Sequence, residues 1–290
     1  MQVSSYISEA RSVLYRDVYT AWLFTRSDLK TIVIPKSFFG ILGGLSGSAL
    51  TTHSNVSGWD IVRRTPLVVL WVWVVLLPFN IDNQRRADAI VEDKINRPWR
   101  PLPSKRISPD RAFRFMLFCH IAAVGYSLAV GGLRQSLAGI ALGWLYNGLG
   151  GADRSCIAKN AVNSLGYVTF SMGAISWFGI IAATVFTTVQ IQDLPDMEGD
   201  AVRGRRTVPL VMGSVYCRWS IAILVPFWTV AASLFWRTLS LPTVLCAVIG
   251  TTVAWRALNK TSMADDKLTF RIWNVWMVSL YSLPLASACR

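Results

Sequence analysis

Long apolar runs constrain this chain more than any other feature of its sequence. A membrane-spanning helix needs about 20 mainly apolar residues, and nine segments approach that length. They lie at residues 31–51, 65–80, 112–131, 135–151, 160–174, 175–192, 217–236, 240–257 and 270–288. The pattern predicts an all-α fold, a polytopic membrane bundle of about nine transmembrane helices. Because the fifth and sixth segments are nearly continuous, eight spans are the alternative.

The overall composition excludes a water-soluble enzyme. Of the 290 residues, 53% are hydrophobic and 16% are charged, whereas soluble domains carry roughly 25% charged residues. The first 30 residues mix charged and aromatic side chains, which favours an amphipathic helix on the membrane surface over a signal peptide. We therefore expect one transmembrane domain over residues 1–290, with an interfacial segment at 1–30.

Basic residues are distributed unevenly between the two ends of the predicted bundle. With nine spans, 23 of the 29 Lys and Arg residues fall on the face that contains the amino terminus, and 5 fall on the opposite face. Positive charge concentrates in cytoplasmic loops, so we expect the first face in the cytoplasm and the protein in the endoplasmic reticulum membrane. This placement accounts for the net charge of +13, and no nucleic-acid-binding motif accompanies it. We expect the lipid bilayer, and no nucleic acid, as a partner.

Eight of the 16 acidic residues fall in two short windows on that same face. The first window follows the second span and the second window follows the sixth span; they contain Asp82, Asp88, Glu92 and Asp93, and Asp193, Asp196, Glu198 and Asp200. The three aspartates of the second window are spaced i, i+3 and i+7 and would share one helical face. Such carboxylates repel each other unless a cation is bound, and oxygen ligands of this kind suit Mg²⁺.

Basic side chains are interleaved with both acidic windows. Arg97 and Arg100 follow the first window, and Arg205 and Arg206 end the second. A bound metal ion would bridge carboxylates to phosphate oxygens, and guanidinium groups would neutralise the remaining charge, so the combination suits a diphosphate. No P-loop is present to indicate a nucleotide. The alternative is that mixed-charge loops simply cap membrane helices at the water interface.

The second window continues into a longer motif. From Asp193 through Gly204, Thr207, Pro209 and Gly213, its spacing is D-x-x-D-x-x-x-D-x-x-x-G-x-x-T-x-P-x-x-x-G. This spacing resembles the second aspartate-rich motif of the UbiA superfamily of intramembrane prenyltransferases. The first motif of that superfamily is usually N-D-x-x-D-x-x-x-D, followed by R-P-L.

The first window departs from that usual form. The chain keeps Asn83 and the Arg100-Pro101-Leu102 segment, but it has Gln84 and then Glu92-Asp93. In this form it resembles a fungal branch of the superfamily that includes membrane-bound sesquiterpene cyclases of the bergamotene synthase type. The resemblance covers nearly the whole chain. It includes Ser27 to Thr31 before the first span, and Leu145 to Asn147 with Arg154, Lys159 and Asn160 around the loop between the fourth and fifth spans.

The resemblance implies a helical bundle around a central cavity, with both motifs at its cytoplasmic mouth and the isoprenoid tail directed into the bundle. It also implies Mg²⁺-assisted loss of diphosphate that leaves an allylic carbocation. By position, the metal ligands would be Asn83, Asp88, Glu92, Asp93, Asp193, Asp196 and Asp200. The catalytic carboxylates would be Glu92, Asp93, Asp193, Asp196 and Asp200. The residues that hold the diphosphate would be Arg97, Arg100, Lys159, Arg205 and Arg206.

Three functions follow from these features. The first is a terpene cyclase of secondary metabolism that converts farnesyl diphosphate to a sesquiterpene. The second is an aromatic prenyltransferase of the same fold, in which a phenolic or polyketide acceptor captures the prenyl group. The third is a small-molecule transporter, which is disfavoured because transporters usually place charged residues at mid-membrane. Only the form of the first motif favours the cyclase over the transferase, and no obligate protein partner is expected.

Polar residues inside the apolar segments are candidates to line the cavity, because they are expensive in a membrane. They are Tyr146, Asn147, Asn160 and Asn163, for which hydrogen bonding between helices is an equal alternative. Lys36 lies within the first span, where it could reach the mouth of the site or extend to the interface. We favour extension to the interface, which long basic side chains commonly adopt.

Overall fold

The computed structural model describes residues 2–50, 57–150, 153, 155–169 and 175–288, and every regular element among them is helical. The helices are α1 (Gln2–Thr25), α2 (Ile34–Leu45), α3 (Gly58–Gln84), α4 (Ala87–Asn96), α5 (Pro109–Val130), α6 (Leu133–Gly143), α7 (Cys156–Thr169), α8 (Ile175–Thr188), α9 (Met197–Arg203), α10 (Val208–Val211), α11 (Ser214–Phe235), α12 (Leu241–Asn259), α13 (Met263–Tyr281) and α14 (Leu283–Ala288). Two π-helical turns cover Leu29–Val33 and Trp144–Gly148, and two 3₁₀ segments cover Gly47–Ala49 and Val189–Asp196.

Serine residues define where several of the long helices begin. The side chains of Ser57, Ser108 and Ser262 each accept a hydrogen bond from the backbone N–H three residues later, at the first turns of α3, α5 and α13. An N-terminal cap of this kind satisfies a backbone donor that has no partner within the helix. The sequence therefore fixes the starts of these helices locally, before tertiary packing contributes.

Four described helices are long and apolar enough to cross a membrane, namely α3, α5, α11 and α12. The prediction of nine spanning helices is not confirmed, because several predicted spans contain shorter or interrupted helices. The first, at 31–51, contains the 12-residue α2 between a π-helical turn and a 3₁₀ turn. The fourth contains the 11-residue α6, and the fifth includes residues 170–174, which lie outside the described chain.

Two large apolar cores hold the helices together. The larger core joins α8, α11, α12 and α13, and includes the fully buried rings of Trp177, Trp273 and Trp276. The smaller core joins α1, α3 and α5 around Phe24 and Ile81. The carboxyl end of α1 is thus packed against the bundle, whereas the placement of residues 1–30 on a membrane surface stays a prediction.

The segments that carry the two acidic windows meet at one end of the bundle. Helix α4, from the first window, packs against α9, from the second. The 3₁₀ segment Val189–Asp196 contacts both α9 and α13. Residues that are about 100 positions apart in the chain are therefore neighbours at this end.

Candidate active site

A polar cavity of about 420 Å³ lies where these segments meet. Its lining residues come from five stretches of the chain, within 26–32, 79–100, 146–167, 192–205 and 267–271. Each segment that the nine-span prediction assigns to the amino-terminal face contributes to this lining. Nine basic and six acidic residues of the described chain line the cavity. The excess of basic side chains makes the cavity suited to an anion.

The three aspartates of the second window all line the polar cavity, and each forms an ion pair with a different basic residue. The pairs are Asp193 with Lys159, Asp196 with Arg97 and Asp200 with Arg205. The first pair is almost completely buried, with 4% and 3% of the two side chains exposed. Buried charges need such partners, because unpaired they would lose the solvation that water provides.

Two carboxylates of the first window also line the cavity and are paired. Asp93 accepts two hydrogen bonds from the Arg100 guanidinium, at 2.8 and 2.9 Å. Glu92 accepts from Arg203 at 3.0 Å and from Arg205 at 3.2 Å. Because both of these arginines belong to the second window, Glu92 connects the two windows.

Three other residues of the first window have different positions. Asp88 does not line the cavity; its side chain is 47% exposed and pairs with Arg203 at 2.9 Å. Asn83 does line the cavity, and its Oδ1 is buried without a hydrogen-bond partner among the described residues. Gln84, where the usual motif has aspartate, donates to the Phe24 carbonyl oxygen at 2.8 Å. Position 84 thus links α3 to α1.

The two windows approach each other closely at Gly199. A Cβ atom added to Gly199 would lie 2.6 Å from Cγ and 2.8 Å from Oδ1 of Asn96. Asn96 also donates to the Asp196 carbonyl oxygen at 3.4 Å. A side chain at position 199 would therefore require the Asn96 amide to move from its place between α4 and α9, so the absence of one supports the contact between the windows.

Burial changes the protonation behaviour of three carboxyl groups in the cavity. It raises the pKa of Asp93 and of Asp193, although Arg100 and Lys159 respectively oppose the shift. Burial also raises the pKa of Asp200 to about 6, and the negative charges of Asp193 and Glu92 add to this effect. Shifts caused by burial and by like charge are typical of functional sites. A bound divalent cation would favour the ionised form of all three groups.

The oxygen donors of the cavity fit Mg²⁺ by their chemistry. No group of three or more His, Cys, Asp and Glu side chains in the described chain forms a metal site as it stands. However, Oδ2 of Asp193 and Oδ1 of Asn83 are buried and have no hydrogen-bond partner among the described residues, so both are available to a cation. The other carboxylates would exchange a basic partner for the metal ion. Carboxylate and amide oxygens are the ligands that Mg²⁺ accepts in proteins.

The structure separates the basic residues that the sequence groups together. Four of the predicted diphosphate residues line the cavity, namely Arg97, Arg100, Lys159 and Arg205, whereas Arg206 is exposed and lies outside the lining. Five further basic residues line it that the sequence analysis did not single out: Arg26, Lys30, Arg203, Lys267 and Arg271. Two of these could have been found, because Arg203 lies inside the second motif and Lys30 lies inside the segment Ser27 to Thr31, which the resemblance includes. No local motif marks the other three.

A smaller apolar chamber, of about 100 Å³, adjoins the polar cavity. The two share five lining residues, namely Ile32, Phe79, Tyr146, Asn163 and Tyr167. Aromatic faces attract positive charge, and three of the shared residues are aromatic. A ligand can therefore place a charged head in the polar cavity and a hydrocarbon part in the chamber.

Lys36 lies in the wall of this chamber and does not extend to an interface. Its side chain is almost fully buried, and Nζ donates to the Tyr167 carbonyl oxygen at 3.0 Å and to the Tyr281 hydroxyl at 3.3 Å. Nζ also lies 3.9 Å from the centroid of the Tyr167 ring. The interpretation of Lys36 as a side chain that reaches the membrane interface is therefore wrong.

The other polar candidates divide between the two roles that the sequence left open. Tyr146 and Asn163 line both cavities. Asn160 instead donates to the Phe186 carbonyl oxygen at 3.1 Å and to Gln190 at 3.3 Å, so it connects helices. Asn147 is buried but lines neither cavity, and Arg154 lies outside the described residues.

Comparisons with known proteins agree with this geometry. The sequence model of the UbiA prenyltransferase family matches residues 41–277. Fumagillin beta-trans-bergamotene synthase of Aspergillus fumigatus is 27% identical over 289 residues, covering 93% of this chain and 93% of the synthase. A polyprenyl transferase of Hericium erinaceus is 28% identical, covering 69% of this chain and 71% of the transferase. The solved structure of a UbiA homologue from Archaeoglobus fulgidus bound to GPP and Mg²⁺ superposes with a TM-score of 0.61 at 14% identity, covering 92% of this chain and 99% of that chain.

These matches extend across most of the chain. The family model covers the second acidic window, the first window and all four apolar helices that are long enough to span a membrane. The resemblance to the UbiA superfamily that the two motifs indicate is thereby confirmed, and the enzyme is favoured over the transporter. The chain belongs to the UbiA prenyltransferase family and is an integral membrane enzyme of the class that uses prenyl diphosphates.

Proposed function

We propose that this protein is an Mg²⁺-dependent terpene cyclase that converts farnesyl diphosphate to a sesquiterpene. The observation that carries the proposal is the junction between the two cavities, where the polar cavity with both acidic windows continues into the apolar chamber through five shared residues. The diphosphate and the metal ion would occupy the polar cavity, and the prenyl tail would occupy the apolar chamber. The synthase relative, which matches over 93% of both chains, supports a cyclase more than the transferase relative, which matches over 69% of this chain.

We assign the residues of the polar cavity to two groups. The metal ligands are Asn83, Glu92, Asp93, Asp193, Asp196 and Asp200, which all line the cavity. The diphosphate is held by Arg97, Arg100, Lys159, Arg203 and Arg205. Asp88 would act indirectly, by orienting Arg203. When bound, Mg²⁺ would neutralise charge on the diphosphate and make it a better leaving group.

The protein side chains that line the two cavities would then support ionisation of the substrate. The bond between the allylic carbon and the diphosphate oxygen breaks, and its electron pair leaves with the diphosphate. Guanidinium groups and Lys159 stabilise that negative charge. Phe79, Tyr146 and Tyr167 line both cavities and would lie beside the allylic cation, which aromatic groups stabilise. The distal double bond of the prenyl chain attacks the cation, and loss of a proton gives the cyclic hydrocarbon.

We further propose one transmembrane domain over residues 1–290, with nine helices in the membrane and residues 1–30 at its surface. Both acidic windows would face the cytoplasm from the endoplasmic reticulum membrane, as the 23 to 5 distribution of basic residues indicates. The alternative function is a prenyltransferase that moves the prenyl group onto a phenolic acceptor. It is supported by the match to the Hericium polyprenyl transferase.

Incubation of membranes that contain the protein with farnesyl diphosphate and Mg²⁺, without an acceptor, tests the choice between these functions. A cyclic hydrocarbon among the volatile products is the expected result. Consumption of the diphosphate only after an aromatic acceptor is added would establish the transferase instead. No consumption of any prenyl diphosphate under either condition would overturn both.

A matched pair of carboxylate variants links the activity to the cavity. Asp193→Asn should abolish turnover, because Asp193 is buried in the cavity and has an unpaired oxygen. Asp265→Asn is the control, because Asp265 pairs with Arg256 at 3.1 Å outside the cavity lining. Equal activity of the two variants, at matched protein in the membrane, would contradict the assignment of the second window.

A further inference from the structure

Three glycines line the apolar chamber: Gly139 and Gly143 from α6, and Gly166 from α7. Glycine contributes no side chain, so each of them leaves space in the wall. The three differ in what an added Cβ atom would meet. At Gly143 it would lie 3.1 Å from the Phe79 ring, and at Gly139 it would lie 3.9 Å from Val75, whereas at Gly166 no atom of the described residues lies within 4 Å. A side chain at position 166 would therefore enter open space.

The face of α7 that contains Gly166 runs from the polar cavity into the chamber. Lys159 lines the polar cavity, Asn163 lines both cavities, and Gly166 lines only the chamber. The spacing of i, i+4 and i+7 puts these residues on one helical face. With a rise of 1.5 Å per residue, Gly166 lies roughly 10 Å deeper along the helix than Lys159. A substrate whose diphosphate contacts Lys159 would thus direct the far part of its hydrocarbon chain past Gly166.

We propose that Gly166 determines which length of prenyl chain this enzyme accepts, because its missing side chain provides the space for the distal isoprene unit. The inference rests on the proposed function, in which the chamber holds the prenyl tail. A larger side chain at this position excludes the distal unit of a long substrate and leaves a short substrate unaffected. Gly166 is therefore a specificity residue, and it takes no part in ionisation.

We expect substitutions of Gly166 to change which substrate the enzyme prefers, without changing the ionisation step. One methylene group in a hydrophobic pocket alters discrimination by roughly 10- to 200-fold. Gly166→Ala should lower the ratio of farnesyl to geranyl diphosphate turnover by about tenfold or more, and Gly166→Leu should lower it further. Turnover of geranyl diphosphate should stay near that of the wild type. Alanine and leucine favour helices more than glycine does, so α7 is expected to form in both variants.

Release of inorganic diphosphate tests the proposal, measured for membranes with matched protein amounts. The substrates are geranyl, farnesyl and geranylgeranyl diphosphate, each with Mg²⁺. Gly125→Ala and Gly125→Leu are the controls, because Gly125 lies within α5, is exposed, and has no atom of the described part of the chain within 4 Å of an added Cβ. These control variants should keep the preference of the wild type.

The outcomes separate this inference from the proposed function. A graded loss of the longer substrates in the Gly166 variants alone supports the inference. An active wild type whose substrate ratios are unchanged in Gly166→Ala and Gly166→Leu overturns the inference and leaves the proposed function standing. A wild type that releases diphosphate from none of the three substrates overturns the proposed function and the inference together. If Gly166→Leu does not accumulate in the membrane, Gly166→Ala decides the result.

Discussion

Arg97, which ends α4, donates a hydrogen bond from its guanidinium group to the Asp196 carboxylate of the second window at 2.6 Å. The two residues are 99 positions apart in the chain. Their side chains are 27% and 16% exposed, so the contact lies at the edge of the polar cavity and is not buried in the core. This contact, with those of Glu92 to Arg203 and Arg205, joins the two acidic windows into one site.

Replacement of Arg97 should reduce turnover, because the residue both holds Asp196 and lines the cavity. A hydrogen bond to a charged group contributes about 1.5–3 kcal/mol, so Arg97→Ala should lower the rate roughly ten- to a hundredfold. Arg97→Lys should recover only part of this loss, since an ammonium group cannot reproduce the fork of a guanidinium. Diphosphate release from farnesyl diphosphate is the measurement. Arg85→Ala is the control, because Arg85 pairs with Asp82 on α3 and does not line the cavity; similar rates for the two alanine variants would contradict the role of Arg97.

Gly199→Ala should disrupt the contact between α4 and α9. The added Cβ would lie 2.6 Å from Asn96 Cγ, and overpacking of this kind typically costs about 1–3 kcal/mol. We expect the variant to insert in the membrane and to lose part of its turnover, because the Asn96 amide must move and gives up its hydrogen bond to the Asp196 carbonyl oxygen. Gly179→Ala is the control, since an added Cβ at Gly179 on α8 would have no described atom within 4 Å.

A second substitution checks the cause of that loss. Truncation of the neighbour, in the double variant Asn96→Ala with Gly199→Ala, removes the amide that the new methyl group would meet. The double variant should be more active than Gly199→Ala alone. If instead the two variants are equally impaired, steric contact with Asn96 is not the reason for glycine at position 199.

The spacing of acidic residues was sufficient to predict which parts of the chain meet. Asp193, Asp196 and Asp200 all line one cavity, although a 3₁₀ segment carries the first two and α9 the third, so they do not share one α-helical face. Topology alone put both windows at the same end of the bundle. Spacing could not predict the individual partners, because these depend on tertiary distances. Lys36 illustrates this limit: its partners Tyr167 and Tyr281 are 131 and 245 residues away. No local pattern distinguishes such a lysine from one that extends to the membrane surface.

The interruptions within the predicted spans could not be predicted from apolar runs either. The run at 135–151 is continuous in sequence, but α6 ends at Gly143 and a π-helical turn, Trp144–Gly148, follows. That turn contains Tyr146, which lines both cavities. Departures from regular helix occur at functional sites, and hydropathy does not register them.

The raised pKa of Asp200 predicts a pH-dependent affinity for Mg²⁺. Burial and the charges of Asp193 and Glu92 raise this pKa to about 6, and a metal ligand must be deprotonated. Below that pH, protons compete with the metal, so the apparent Mg²⁺ affinity should fall by up to roughly tenfold per pH unit. Above the pKa the affinity should be nearly constant. The Mg²⁺-induced rise in Tm of the purified protein measures this without requiring turnover.

Two variants connect that dependence to one residue. Asp200→Asn cannot be protonated in this range, so its weaker Mg²⁺ response should change less than that of the wild type between pH 5 and pH 7, which bracket the pKa of about 6. Asp265→Asn, outside the cavity, should keep the dependence of the wild type. A decline of the same size in Asp200→Asn and in the wild type would assign the titration to another group.

Arg205 and Arg206 are adjacent in sequence and should differ sharply in their effect on activity. The Arg205 side chain is 9% exposed and contacts Glu92, Asp153 and Asp200 at 3.1 to 3.2 Å, whereas Arg206 is exposed and does not line the cavity. The turn that separates them from α9 is at Gly204, whose φ of +73° suits glycine. Sequence alone assigns both arginines to the diphosphate, and the structure predicts that only Arg205 contacts it.

Replacing each of these two arginines by alanine and by lysine tests the predicted difference in activity. Loss of a charge-assisted contact of about 1.5–3 kcal/mol should lower turnover of farnesyl diphosphate roughly ten- to a hundredfold in Arg205→Ala. Arg205→Lys should have intermediate activity, because a point charge replaces a two-pronged contact. Inhibition by inorganic diphosphate should weaken in parallel, which a purely structural role of Arg205 would not produce. Arg206→Ala and Arg206→Lys should both match the wild type, since Arg206 is exposed and does not line the cavity. No loss at Arg205 would mean that the diphosphate is held by Arg97, Arg100 and Lys159 without it, and equal losses at both positions would contradict the predicted difference between the two arginines.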